Sequence, residues 1–132
     1  MQNSQVTFLT NEGSPIEADV QGPLLVARGQ RARFLIRLKC IAFRPESVVI
    51  NEEPDHWKVY DFNIHGRSQF NRMGNYEEDA VPGDMFRAEF ADRKIFHFET
   101  VQTAMNLWID VVYMGPRPDA PFVCTVRGTA AL

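Results

Sequence analysis

Three histidines, two cysteines and two acidic runs are the side chains of this 132-residue sequence that metal binding or catalysis would recruit. His56, His65 and His97 are not spaced at i,i+2 or i,i+4, so no strand or helix face presents two of them to one metal ion. His56 and His65 flank one strand-like segment and stand roughly 30 Å apart at about 3.3 Å per residue. His97 sits between Phe96 and Phe98 and reads as a histidine on a sheet face. The acidic runs Glu52, Glu53, Asp55 and Glu77, Glu78, Asp79 could offer oxygens to calcium. Neither has the alternating ligand spacing of an EF-hand loop, and both read as solvated turns. A nucleophile needs a partnered base. The sequence has no G-x-S-x-G, no cysteine with a nearby histidine and no glycine-rich phosphate loop. The expectation is a protein without catalytic residues, metal or cofactor. Cys40 and Cys124 fall at apolar-phase positions and read as buried free thiols. Pairing them would need a geometry that spacing alone does not supply.

Charge and aromatic patterning point to contact instead. In "RARFLIRLKC" one phase holds Ala32, Phe34, Ile36, Leu38 and Cys40, and the other Arg31, Arg33, Leu35, Arg37 and Lys39. Period 2 puts these sets on opposite faces of a strand. One face is core; the other is a basic stripe suited to an acidic neighbour. If that neighbour is a second copy of the chain, the acidic runs are its candidate partners, and such matching sets orientation more than affinity. The net charge of −3 argues against nucleic acid, whose binders carry a basic excess to displace counterions. Trp57, Tyr60, Trp108 and Tyr113 are core candidates or a sugar-stacking platform. Trp108 shares its phase with Asp110, which places it on an outer face as a possible interface anchor.

The elements that would position these residues are strands. Apolar residues make up 45% of the chain and charged residues 23%, an ordinary globular balance. The first ten residues have no basic and apolar leader pattern. No run approaches the roughly 18 apolar residues that span a bilayer. Short alternating segments recur with turn signals between them: "SQVTFL", "LLVA", "RARFLIRLKC", "FRPESVVI", "WKVYDFNI", "MFRAEF", "KIFHFET", "NLWIDVVYM" and "FVCTVRG". "WKVYDFNI" is apolar on both phases and reads as a strand covered on both faces. The pattern predicts an all-β, antiparallel two-sheet sandwich of about eight strands. Residues 1–22, rich in turn residues, read as an N-terminal arm, and residues 23–132 as one sandwich domain. The segment from His65 to Asp84 is an overlong loop for a compact domain, where connections run about 4–6 residues. Its long or aromatic side chains Arg67, Gln69, Phe70, Arg72, Met73 and Tyr76 are candidate interface anchors.

Four strings occur in a distinctive order: "FRPESVVI", "VYDFNIHGRSQF", "VPGDMF" and "LWIDVVYMG". Over about residues 43–115 this resembles a group of small bacteriophage virion proteins. Phe43, Arg44, Pro45, Asp61, Gly66, Ser68, Gln69, Pro82 and Phe86 match pattern positions. His65 replaces a small apolar residue before the glycine, Tyr76 and its acidic run look inserted, and the first 22 residues are not covered. The resemblance implies a jelly-roll-like β-sandwich used as a capsid component or a decoration protein. It implies partners that are further copies of the chain and other virion proteins, and a location in the virion after synthesis in the host cytoplasm. The alternative is a carbohydrate-binding β-sandwich that stacks sugars on Trp108 or Trp57.

Overall fold

The computed structural model describes residues 2–70, 80–93 and 98–131. Thirteen strands are found among them, and no α-helix. They are β1 (Gln5–Thr10), β2 (Pro15–Ile16), β3 (Ala18–Gln21), β4 (Val26–Ala27), β5 (Arg31–Leu38), β6 (Ala42–Ile50), β7 (Trp57–Ile64), β8 (Arg67–Ser68), β9 (Val81–Pro82), β10 (Val101–Gln102), β11 (Leu107–Tyr113), β12 (Asp119–Ala120) and β13 (Val123–Ala131). Seven have four residues or more; the other six are two-residue pairings at turns and edges, which accounts for the excess over the expected eight. A five-stranded sheet has the order β10-β6-β13-β1-β2, and a six-stranded sheet has β3-β5-β11-β7-β8 with β9 also on β7. Along the chain β5, β6, β7, β10, β11 and β13 alternate between the two sheets, the wiring of a jelly-roll-like sandwich. The ladders are antiparallel except β1 with β13, which run parallel, so the five-stranded sheet is mixed.

The core forms where inward phases meet. Phe34, Ile36 and Leu38 of β5 line the inner face of the six-stranded sheet beside Leu107, Ile109, Val111 and Tyr113 of β11, and Phe122, Cys124 and Val126 also point inward, all nearly inaccessible. Aromatic packing dominates: Phe8 meets Phe43 edge-on at 5.8 Å, Trp57 lies 5.0 Å from Phe122 and 5.1 Å from Tyr113, and Phe62 lies 4.7 Å from Phe98. Such pairs add about 0.5–1.5 kcal/mol each beyond the area they bury. Both cysteines are free and buried.

Several sequence expectations are corrected. The first 22 residues are not an arm. β1 pairs with β13 over its whole length, and the chain then passes through β2 into β3, contributing to both sheets. Its polar, glycine-punctuated sequence hid the edge strands β2 and β3 and the ties they make to both sheets. "WKVYDFNI" is not covered on both faces. A β-bulge opposite Asp110 and Val111 leaves Tyr60 without a partner on β11 and shifts the phase. Trp57, Val59, Phe62 and Ile64 therefore all point inward, since one extra residue flips every side chain beyond it. "MFRAEF" is not a strand but lies within 3₁₀ turns at Gly83–Phe86 and Ala88–Arg93. Gly83 approaches the backbone so closely that a Cβ there would sit 1.8 Å from the Pro54 carbonyl oxygen. Of "KIFHFET", residues 94–97, His97 included, lie outside the described residues, and 98–100 are irregular.

The long loop is partly dissolved. His65 and Gly66, both at positive φ, make the two-residue turn joining β7 to β8. Val81 and Pro82 pair back onto β7. Residues 71–79, and with them Arg72, Met73, Tyr76 and the second acidic run, lie outside the described residues.

Candidate interface on the six-stranded sheet

The basic stripe lies where its alternation predicted. Arg31, Arg33, Leu35, Arg37 and Lys39 are exposed on the outer face of the six-stranded sheet, while Phe34, Ile36 and Leu38 point inward. β11 and β7 complete this face. Trp108 stands opposite Leu35 on one side and Asn63 on the other; Asp110 stands between Arg33 and Asp61; Val112 stands between Arg31 and Lys58.

These neighbours change the character of the stripe. Arg33 donates through Nε and a terminal nitrogen to the two carboxylate oxygens of Asp110, at 2.8 and 3.0 Å. Arg31 reaches the same carboxylate at 4.0 Å. Asp110 is buried although it lies on an outer face: its side chain is 6% accessible, against 58% for Arg33. The hydrogen bonds to Asp110, and the charges of Asp110 and Asp61, hold the Arg33 guanidinium above its usual pKa against the opposing effect of burial. Each arginine also covers an aromatic ring, Arg31 over Tyr60 at 4.3 Å and Arg33 over Trp108 at 4.9 Å. Lys39 lies 3.6 Å from Asp19 and 3.9 Å from Glu17. Arg37 makes no ion pair among the described residues. Much of the stripe's charge is thus matched inside the chain, and the face that remains is a mixed aromatic–guanidinium surface.

A polar cluster continues the face toward β8. The Asp61 carboxylate accepts from the Ser68 hydroxyl at 2.6 Å and from Asn63 Nδ2 at 3.0 Å. Asn63 Oδ1 and Trp108 Nε1, on directly opposed residues, are buried without a hydrogen-bond partner among the described residues. Such atoms cost about 1–3 kcal/mol each when desolvated and unpaired.

The loop candidates divide. Arg67 is exposed and ion-paired with Glu99 at 2.9 Å. Gln69 is not a surface anchor: it is buried, its Nε2 donates to the Arg67 carbonyl at 3.0 Å, and its Oε1 accepts from the Glu99 amide at 2.7 Å. It clasps the segment after β8 to the one before β10. Phe70 is not one either; it is 6% exposed and packs 6.3 Å from Phe86.

The first acidic turn is also occupied internally. Glu53 pairs with Arg117 at 3.0 Å and lies 3.3 Å from His56 Nδ1, and Asp55 lies 4.0 Å from Arg87. It is therefore a poor partner for a neighbour's basic stripe. Trp57 lies in the core and presents no ring for a sugar. Among the described residues, no cluster of three or more His, Cys, Asp or Glu could hold a metal ion. Among those residues, no helix is long and apolar enough to cross a membrane. On the five-stranded sheet a groove of about 660 Å³ is lined by Leu9, Glu46, Ser47, Thr125 and Arg127, with Ala88 on its rim. Among the described residues it has no aromatic lining residue.

Sequence reasoning found the arginines and Trp108, offered Tyr60 only as core or as a sugar platform and Asp61 only as a pattern position, and missed Asn63 and the buried state of Asp110. The one available signal was an acid, Asp110, inside an otherwise apolar strand. Compared with known proteins, the chain matches no family model, no curated protein and no solved structure.

Proposed function

We propose that this chain is a non-enzymatic structural protein of a bacteriophage virion, a shell or decoration subunit that acts through contacts with copies of itself. The observation that carries the reading is the outer face of the six-stranded sheet. Trp108, Tyr60, Arg31 and Arg33 stand together there, with Leu35 at 38% exposure beside them. Trp, Tyr and Arg are the residue types that dominate interface energetics, and rings held by stacked guanidinium groups lose little freedom on docking. A sheet face that met only water would carry scattered Lys, Glu and Thr. The resemblance of residues 43–115 to small virion proteins supports the same reading.

The test is sedimentation velocity over a concentration series, comparing the wild type with Trp108→Lys. The expected result is concentration-dependent oligomers that the substitution weakens at least tenfold, with the unfolding midpoint little changed. A wild type that is monomeric at every concentration, or a variant that assembles normally, overturns the proposal. Binding to a glycan array that is lost in Trp108→Lys would favour the carbohydrate-binding alternative.

A further inference from the structure

The six-stranded sheet ends in β3, and among the described residues no other strand lies beyond it. The hydrogen-bond phase of this edge is fixed. The Lys39 amide donates to the Glu17 carbonyl, so in the antiparallel ladder Glu17, Asp19 and Gln21 turn their backbone groups toward β5. Ala18 and Val20, which alternate with them, turn their N–H and C=O groups to the open edge. The inward side of the same edge is apolar and open. Val20 is 38% exposed although it faces the sandwich interior, and Leu24 just beyond is 63% exposed. Val20 and Leu24 rim a cleft of about 450 Å³ between β3 and β1, with Phe34 and Val6 among its lining. An edge with free backbone groups and an apolar flank is a template for another strand.

We propose that β3 pairs with β3 of a second copy about a two-fold axis, joining two six-stranded sheets into one continuous sheet. This deepens the assembly reading above and rests on it. A second copy is the occupant because the edge is complementary to itself in one register. A two-fold axis centred on Asp19 would oppose two carboxylates directly, which disfavours pairing. With the axis at Val20, the two Val20 residues form a hydrogen-bonded pair, Ala18 faces Gly22, and Asp19 of each copy faces Gln21 of the other. The Gln21 amide can then donate to the Asp19 carboxylate, whose charge Lys39 already balances at 3.6 Å. On the inner side, Val20 and Leu24 of each copy gain cover from the other. The ribbon is short against the roughly 1,200 Å² of a standard interface. It is weak alone and gains strength from the Trp108 face, which it makes continuous across two copies.

Val20→Pro tests this directly. The Val20 amide is not used in the fold, and proline is tolerated on an edge strand where its missing N–H faces outward. The expected result is self-association at least tenfold weaker by sedimentation velocity, with an unchanged circular dichroism spectrum. Val20→Cys supplies a second measurement that does not depend on the proline variant folding. Opposed residues of a hydrogen-bonded pair have Cα atoms about 5.5 Å apart, within disulfide reach, and both native thiols are buried. Mild oxidation should give a covalent dimer. If Val20→Pro assembles like the wild type and Val20→Cys does not cross-link to itself, edge pairing is wrong. Loss of assembly in Trp108→Lys alone would then leave the face reading standing. A wild type that stays monomeric overturns both.

Discussion

The Arg33–Asp110 pair offers the sharpest energetic test of the outer face. Replacing Arg33 with Met keeps an unbranched stem over Trp108 and removes only the guanidinium. Two reference values bracket the effect. Removing one partner of a fully buried ion pair costs about 3–5 kcal/mol, and exposed pairs are worth about 0.2–1 kcal/mol. Here the acid is 6% accessible and the arginine 58%, so the cost falls between. Arg31, already 4.0 Å from the carboxylate, replaces part of the lost charge, while Asp61 directly opposite adds repulsion once Arg33 is gone. The expected loss is about 1–3 kcal/mol. The reverse deletion is milder: Asp110→Ala leaves an arginine that water can still reach. Arg33→Met combined with Asp110→Val should therefore recover much of the loss, because no buried charge remains unpaired. Urea unfolding of the four proteins measures this. With slopes of about 1–3 kcal/mol per molar, the Arg33→Met midpoint drops by roughly 1 M. If Arg33→Met lies within about 0.5 kcal/mol of wild type, or the double variant is simply additive, Asp110 does not depend on Arg33 and the account of this face is wrong.

Two further outcomes follow from burial. Phe70→Ala removes a core side chain that packs near Phe86 and should cost about 3–4 kcal/mol of stability. Thermal melting will show it, with no selective effect on assembly, and a selective effect would contradict its placement in the core. Burial pushes the Cys124 thiol up from 9.0 to about 12. The unfolded chain releases that proton first, so stability conferred by keeping the thiol neutral is complete below about pH 9 and falls as pH rises toward about 12. Urea melts across this alkaline range should show the decline, and it should be shallower in Cys124→Ala, where the buried Cys40 thiol still contributes.

How much of this was legible in the sequence depends on the range of the interaction. Strand phase is local. The alternation in "RARFLIRLKC" and "NLWIDVVYM" determined which residues point inward, since successive side chains leave a strand on opposite sides. It therefore determined the all-β class, the outward arginines, the outward Trp108 and the buried Cys40. Pairing is not local. That Asp110 meets Arg33, 77 positions away, follows from the register of β5 on β11, which no local pattern encodes. The bulge at Tyr60 exists only because β7 must match β11, and it moved Trp57 and Phe62 to the same side. The same holds for Gln69 and Phe70, whose types suit an interface but whose positions put them inside. The polar first 22 residues gave little local signal beyond β1 because the edge strands β2 and β3 are short and bury little. Their place in both sheets is set by pairing partners outside the segment, β13 at the far end of the chain for β1 and β5 for β3. Residue chemistry chose the faces; the tertiary pairing decided which charges were matched within the chain and which edge was left open.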